Sequence, residues 1–262
     1  MGEVVDHRKS LEDFSAPTYD DRDWATDQVD DFKFSKNIYL TRIDLPPIRV
    51  QHTFASALVA ADGAARIYDV GQNIAGVLRV VLRGAAGAYA VVRDAEEFRP
   101  LFTSHGFRYA SVELHGDVTL CDLRAEAMYT DLPTSGTFSC SSALVNQIYR
   151  NVLWSQRDNF YSVPTDCPQR DERLGWLGDA QVFAQSAMYS MDCEKYYAKY
   201  LADIRDAQLG NGAIPCVAPL PYVGHRRYTG YDAAAGWSEA VVILPYLHYK
   251  MYGDPQIVAD NL

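Results

Sequence analysis

The sequence predicts a chain of mixed class, an antiparallel β-sandwich followed by a helical region, and three observations carry that reading. Short β-branched segments with period-two alternation fill residues 1 to about 135. Apolar stripes of helical period fill the remainder. Prolines and glycines punctuate both halves where turns and helix ends are needed. The boundaries are 1–135 for a jelly-roll-like sandwich domain and 136–262 for the helical part.

The elements follow in order. Residues 66–70, 76–82 and 89–92 are short and β-branched, and residues 107–114 alternate apolar and polar. Gly84-Ala85-Ala86-Gly87 is a turn between two of them. Ser141 or Ser142 suits the N-cap of a helix whose stripe is Leu144, Ile148, Val152 and Leu153, running to about Phe160. Pro164 and Pro168 forbid a continuous helix, so residues 161–178 are a loop. Helices follow at about 179–189 and 193–209, the second stopped by Gly210-Asn211-Gly212. After a Pro- and Gly-rich stretch, 213–236, a helix spans 237–252 and ends at Gly253-Asp254-Pro255. Residues 256–262 read as the start of one more helix, so the chain is expected to end inside a domain.

Bulk properties narrow the function classes. The chain has 262 residues, 48% hydrophobic and 22% charged, as in ordinary globular proteins. A net charge of −10 disfavours nucleic acid or an anionic membrane as partner and suits a neutral substrate. No apolar run is long enough to cross a bilayer. The segment Met1-Gly2-Glu3-Val4-Val5-Asp6 lacks the apolar core of a signal peptide, and Asp6 stands where a myristoylation signal needs Ser or Thr. Five cysteines, at 121, 140, 167, 193 and 216, form no CxxC pair, so a disulfide framework or zinc site is not expected and a cytoplasmic protein is.

Chemistry concentrates in residues 166–179. Four carboxylates, Asp166, Asp171, Glu172 and Asp179, stand with Arg170, Arg173 and Trp176. Glycoside hydrolysis needs a proton donor of raised pKa and a second carboxylate, and an indole suits the apolar face of a sugar. The bland alternative is a solvated, self-paired loop, but two prolines fix it and Gly175 and Gly178 flank a tryptophan. The residues alone leave Asp171 and Glu172 undecided as the donor. Asp171 is expected to pair with an arginine, Cys167 to be a buried packing thiol and His105 a structural histidine. His225-Arg226-Arg227 reads as a solvated basic cluster, and Glu239 as a carboxylate favoured by a helix start.

The run Pro164-Thr165-Asp166-Cys167-Pro168-Gln169-Arg170-Asp171-Glu172-Arg173-Leu174-Gly175-Trp176-Leu177-Gly178-Asp179-Ala180-Gln181 resembles the signature of bacterial α-L-rhamnosidases of glycoside hydrolase family 78. Tyr68-Asp69-Val70-Gly71-Gln72-Asn73 with Gly76, His105-Gly106-Phe107-Arg108-Tyr109, Trp154-Ser155-Gln156-Arg157-Asp158-Asn159 and Gly236-Trp237-Ser238-Glu239-Ala240 resemble further family segments. The resemblance implies β-sandwich domains followed by an (α/α)6 barrel, here only its N-terminal part, and hydrolysis with inversion. It implies Glu172 as general acid, Asp166 and Asp179 as holders of rhamnose hydroxyls with Arg170 beside them, and Trp176 and Trp237 as apolar walls. The expected partner is a rhamnose-containing glycoside, with no cofactor, metal, nucleic acid or membrane.

Three departures qualify it. Between residues 92–95 and 97–100 the family carries some tens of extra residues. Glu239 stands where the family more often has Asp. About four helices are present where the barrel needs twelve, and no residue matches the family's catalytic base. An incomplete barrel should expose apolar helix faces and associate or dissolve poorly. The competing expectations are an inactive carbohydrate-binding chain and a related toroid hydrolase acting on another sugar, such as a uronic acid.

Overall fold

A computed structural model describes residues 16–22, 24, 42, 44–84, 88–93, 103–223, 226–227 and 233–261. Residues Met1–Ile43 and Asp44–Leu262 are separate compact units, and the second holds every element below. The turn 84–87, the N-terminal segment 1–6, the segment 94–100 and His225 lie wholly or partly outside the described residues.

The strands are β1 (Ile48–Ala55), β2 (Ala57–Asp62), β3 (Ala65–Gly84), β4 (Tyr89–Arg93), β5 (His105–His115) and β6 (Val118–Thr130). They form one antiparallel sheet in the order β1-β6-β3-β5-β4, with β2 also on β3. A second, facing sheet is not seen among the described residues. The expected strands 66–70 and 76–82 are one strand, β3, 20 residues long. Its register with β5 slips between Asp69 and Ile74, a bulge rather than a turn. Gly71 takes φ +80° there, and its N–H donates to the Asp69 carboxylate at 2.7 Å. Sequence periodicity also missed β6, although Asp122, Arg124 and Glu126 alternate there with buried Leu123, Ala125 and Ala127.

Helices α1 (Ala143–Asn159), α2 (Leu177–Ser190), α3 (Glu194–Ala207), α4 (Ala240–Tyr252) and α5 (Gln256–Ala259) fill the second half. Ser142 is the N-cap of α1, accepting from the Val145 N–H. Gly253, left-handed at φ +77°, ends α4. The expected α1 stripe is corrected. Leu144 is 70% exposed and Ile148 is exposed, whereas Gln156 and Asp158 are buried. The reason is that α1 meets the sheet through its C-terminal half. There Trp154 packs on His52 and Phe54, and Asp158 accepts the Ala75 N–H of β3 at 2.7 Å.

Two apolar clusters result. One lies on the sheet around Ile74, Leu78, Phe107 and Val112. The other lies among the helices around Leu177, Tyr196, Tyr197, Tyr200 and Leu244. Apolar side chains also face solvent from the helices, including Val182 of α2 (82% exposed) and Val242 of α4 (68%). No helix is long and apolar enough to cross a membrane among the described residues, and all five cysteines are free thiols.

Candidate active site

The chain leaves α1 into two short paired strands, β7 (Phe160–Tyr161) and β8 (Val163–Pro164). Thr165 folds back onto α1, its N–H and hydroxyl both donating to the Asn159 carbonyl at 2.7 and 2.8 Å. The loop up to α2 is held by three kinds of contact. Its backbone turns on itself, with the Arg170 N–H donating to Cys167 and the Glu172 N–H to the Arg170 carbonyl. It docks on the sheet, where the Gly106 N–H donates to the Pro168 carbonyl at 2.9 Å. A Cβ at Gly106 would stand 2.8 Å from the Gln169 nitrogen, so only glycine allows that approach. Arg173, left-handed at φ +53°, donates to the Ser104 and Arg170 carbonyls. The last contact is with the helical core, where Gly175 and Leu177 pair with Ala218 and Cys216 and the Tyr200 hydroxyl donates to the Gly175 carbonyl at 2.8 Å.

These contacts connect segments that are distant in sequence. Gly106 of the 105–109 segment supports the loop, and Arg108 of the same segment forms a double hydrogen bond with Asp69 of the 68–73 segment, both 2.9 Å. Those two segments therefore act as the loop's platform. His105 opens β5 and is engaged within the fold.

Asp166, Cys167 and Glu172 bring a ligand-type atom each to within 4.8 Å of one another. Asp166 and Glu172 share a hydrogen bond. Burial, then Glu172, holds the Asp166 carboxyl above its ordinary value. The bond to Asp166, then Arg170, holds Glu172 below its own. Arg170 grips Glu172 at 2.6 Å. In this arrangement Asp166 is the carboxyl of the pair that takes up a proton more readily. Two expectations are corrected. Cys167 is half-buried and belongs to this cluster rather than to a core; burial and Asp166 push its thiol up, which makes it a poor nucleophile. Asp171 is exposed and pairs with neither loop arginine, because Arg170 is taken by Glu172 and Arg173 by backbone carbonyls.

Beside the cluster lies an open cavity of about 690 Å³ between α1, α2 and the 236–237 turn. Asp166, Asp179 and Trp237 line it; Arg170, Glu172 and Trp176 do not. Asp179 is in the first turn of α2. Trp237, 37% exposed, lies against Gly178, where a Cβ would stand 2.8 Å from the indole nitrogen. Trp176 pairs with Val217 and packs against the helical core. Sequence reasoning passed over Gln156, Asn159 and Tyr197, which also line the cavity. The signal was present for two of them: polar Gln156 and Asn159 stand at the i, i+3 spacing of one helix face.

Comparison with known proteins finds relatives along the whole chain. Residues 133–262 match the model of the bacterial alpha-L-rhamnosidase 6 hairpin glycosidase domain. An alpha-L-rhamnosidase of Streptomyces avermitilis is 33% identical over an alignment of 292 positions, covering 100% of this chain and 28% of that protein. The solved alpha-L-rhamnosidase of Dictyoglumus thermophilum superposes with a TM-score of 0.73 at 33% identity, over 82% of this chain and 27% of that one. The Streptomyces avermitilis alpha-L-rhamnosidase crystallised with L-rhamnose does so with a TM-score of 0.72 at 33% identity, over 83% and 24%. The chain thus spans under a third of the length of these relatives. With the loop, its platform and the match over the helical half in agreement, the chain belongs to the bacterial α-L-rhamnosidase family of glycoside hydrolases.

Proposed function

We propose that this chain supplies the acid-bearing part of the active site of a glycoside hydrolase that releases terminal α-L-rhamnose with inversion. The observation that carries the reading is the Asp166–Glu172 pair at the edge of a cavity lined by Asp179 and Trp237. A carboxyl close beside a second one takes up a proton more readily than it would alone, and departure of the glycosidic oxygen needs a proton donor.

Glu172 is the general acid in this reading. A sugar hydroxyl takes the place of Glu172 on Asp166, and Glu172 takes up a proton as Arg170 withdraws. Glu172 then protonates the glycosidic oxygen while the C–O bond breaks. Water adds to the opposite face of the sugar and gives its proton to a general base that is not assigned in this chain. Asp166 and Asp179 accept sugar hydroxyls, with Arg170 beside them. Trp237 forms an apolar wall, which its seat against Gly178 supports; Trp176 is assigned to a wall on resemblance alone. We assign residues 1–135 to a β-sandwich domain and 136–262 to the first part of an (α/α)6 barrel. The free thiols fit a cytoplasmic protein.

The test is hydrolysis of 4-nitrophenyl α-L-rhamnopyranoside, with Glu172→Gln expected to lose about 10²–10⁴-fold. Wild-type turnover by that variant would remove Glu172 from the role. The 2.6 Å grip of Arg170 on Glu172 favours a second reading, a chain that binds rhamnose without cleaving it. Calorimetric binding of L-rhamnose with no released nitrophenol selects that one.

A further inference from the structure

The indole of Trp237 stands on a turn rather than on a helix, and what holds that turn is specific. The peptide groups on either side of Gly236 are gripped separately. The Gly236 carbonyl accepts from the Gln181 side-chain amide at 2.7 Å. The Gly236 N–H donates to the Glu239 carboxylate at 2.8 Å. Gly236 itself is left-handed, φ +88°, a conformation that glycine adopts without steric cost. The Ser238 hydroxyl ties the far side of the turn to the Ile214 carbonyl at 2.7 Å.

Gln181 and Gly178 are three residues apart in α2, so they share one helix face. The same face therefore supplies both the seat of the indole and the tether of the turn that carries it. Glu239 precedes α4, where a carboxylate is favoured anyway; its bond to Gly236 gives it a further task. We infer that Gln181 and Glu239 are positioning residues that fix the indole of Trp237 against Gly178 before a ligand arrives. The inference deepens the proposed function, on which its consequence for rhamnose rests. A side chain ordered in advance does not lose its freedom on binding. Releasing it should weaken binding about threefold to tenfold.

The experiment uses the chain labelled with 5-fluorotryptophan, whose 4 tryptophans give four fluorine resonances. Trp237→Phe assigns the one of interest. In Gln181→Met and in Glu239→Leu, the Trp237 resonance is expected to shift toward the free amino-acid position while the other three stay in place. Glu239→Gln keeps an acceptor for the Gly236 N–H and should restore the wild-type spectrum. L-rhamnose titration, followed on the same resonance, should show the threefold to tenfold loss in the first two variants and recovery in the third. An unmoved Trp237 resonance in both Gln181→Met and Glu239→Leu overturns the inference. So does a spectrum in which all four resonances move together in both variants and Glu239→Gln as well, since that marks a role in the fold at large. Failure of the wild-type chain to bind L-rhamnose would overturn the proposed function, while the fluorine spectra would still decide the positioning role.

Discussion

Replacing Asp158 by asparagine takes a buried ionisable group out of the joint between α1 and the sheet. Asp158 is 6% exposed, and one of its oxygens accepts the Ala75 N–H at 2.7 Å. Burial pushes its carboxyl up from 3.8 to about 7, against the opposing pull of the Ala75 bond and Arg157. In the unfolded chain the group ionises near its ordinary value. The neutral form is therefore stabilised by folding. That contribution is fully present below about pH 4 and is lost as pH rises toward and through about 7. At 1.36 kcal/mol per unit the full span is about 4 kcal/mol. Asparagine keeps an acceptor for Ala75 and never ionises. Urea unfolding from pH 4 to pH 8 should show Asp158→Asn close to wild type at the acid end. Its advantage should grow to about 4 kcal/mol at the alkaline end. A difference between the two proteins that does not change with pH, or a variant less stable at pH 8, would refute the reasoning.

Other predictions follow from the loop and its neighbours. Gly106→Ala forces a Cβ against the backbone of Pro168 and Gln169; we expect about 1–3 kcal/mol of lost stability and a displaced carboxyl cluster, measured by denaturation and by loss of rhamnoside turnover. Arg170→Gln removes the cation that holds Glu172 ionised, so the Glu172 carboxyl should titrate at higher pH than in wild type, read by carbon-13 NMR of labelled glutamate. Gly178→Ala should push the Trp237 indole off its seat and weaken L-rhamnose binding while the melting temperature stays near wild type; unchanged affinity would separate Trp237 from the ligand.

The second half was legible because helices announce themselves locally. Ser142 and Gly253 act through their own backbone chemistry and each marks a helix end that the structure keeps, while Pro164 and Pro168 keep the segment between α1 and α2 out of a helix. The acidic loop was legible for the same reason, since its prolines and glycines leave it no helical option. Local pattern failed where pairing decides. Nothing near Asp69 says that the chain crosses the bulge and continues as one strand, because the partners that keep it extended come from β5 and β6. The stripe of α1 misled because an apolar side chain says nothing about which partner arrives, and here the sheet meets Trp154 and Asp158 instead of Leu144.

The site divides along the same line. By itself the sequence named the residues, since a carboxyl, an arginine and an indole carry their chemistry wherever they stand. Their states depended on approach through space. The pairing of Asp166 with Glu172, the capture of Arg170, the idle position of Asp171 and the seat of Trp237 on Gly178 are all set by distances. A pKa or a close packing contact is a property of neighbours a few ångströms away, and which residues become neighbours is settled only when β5, α2 and the turn at Gly236 converge on the loop.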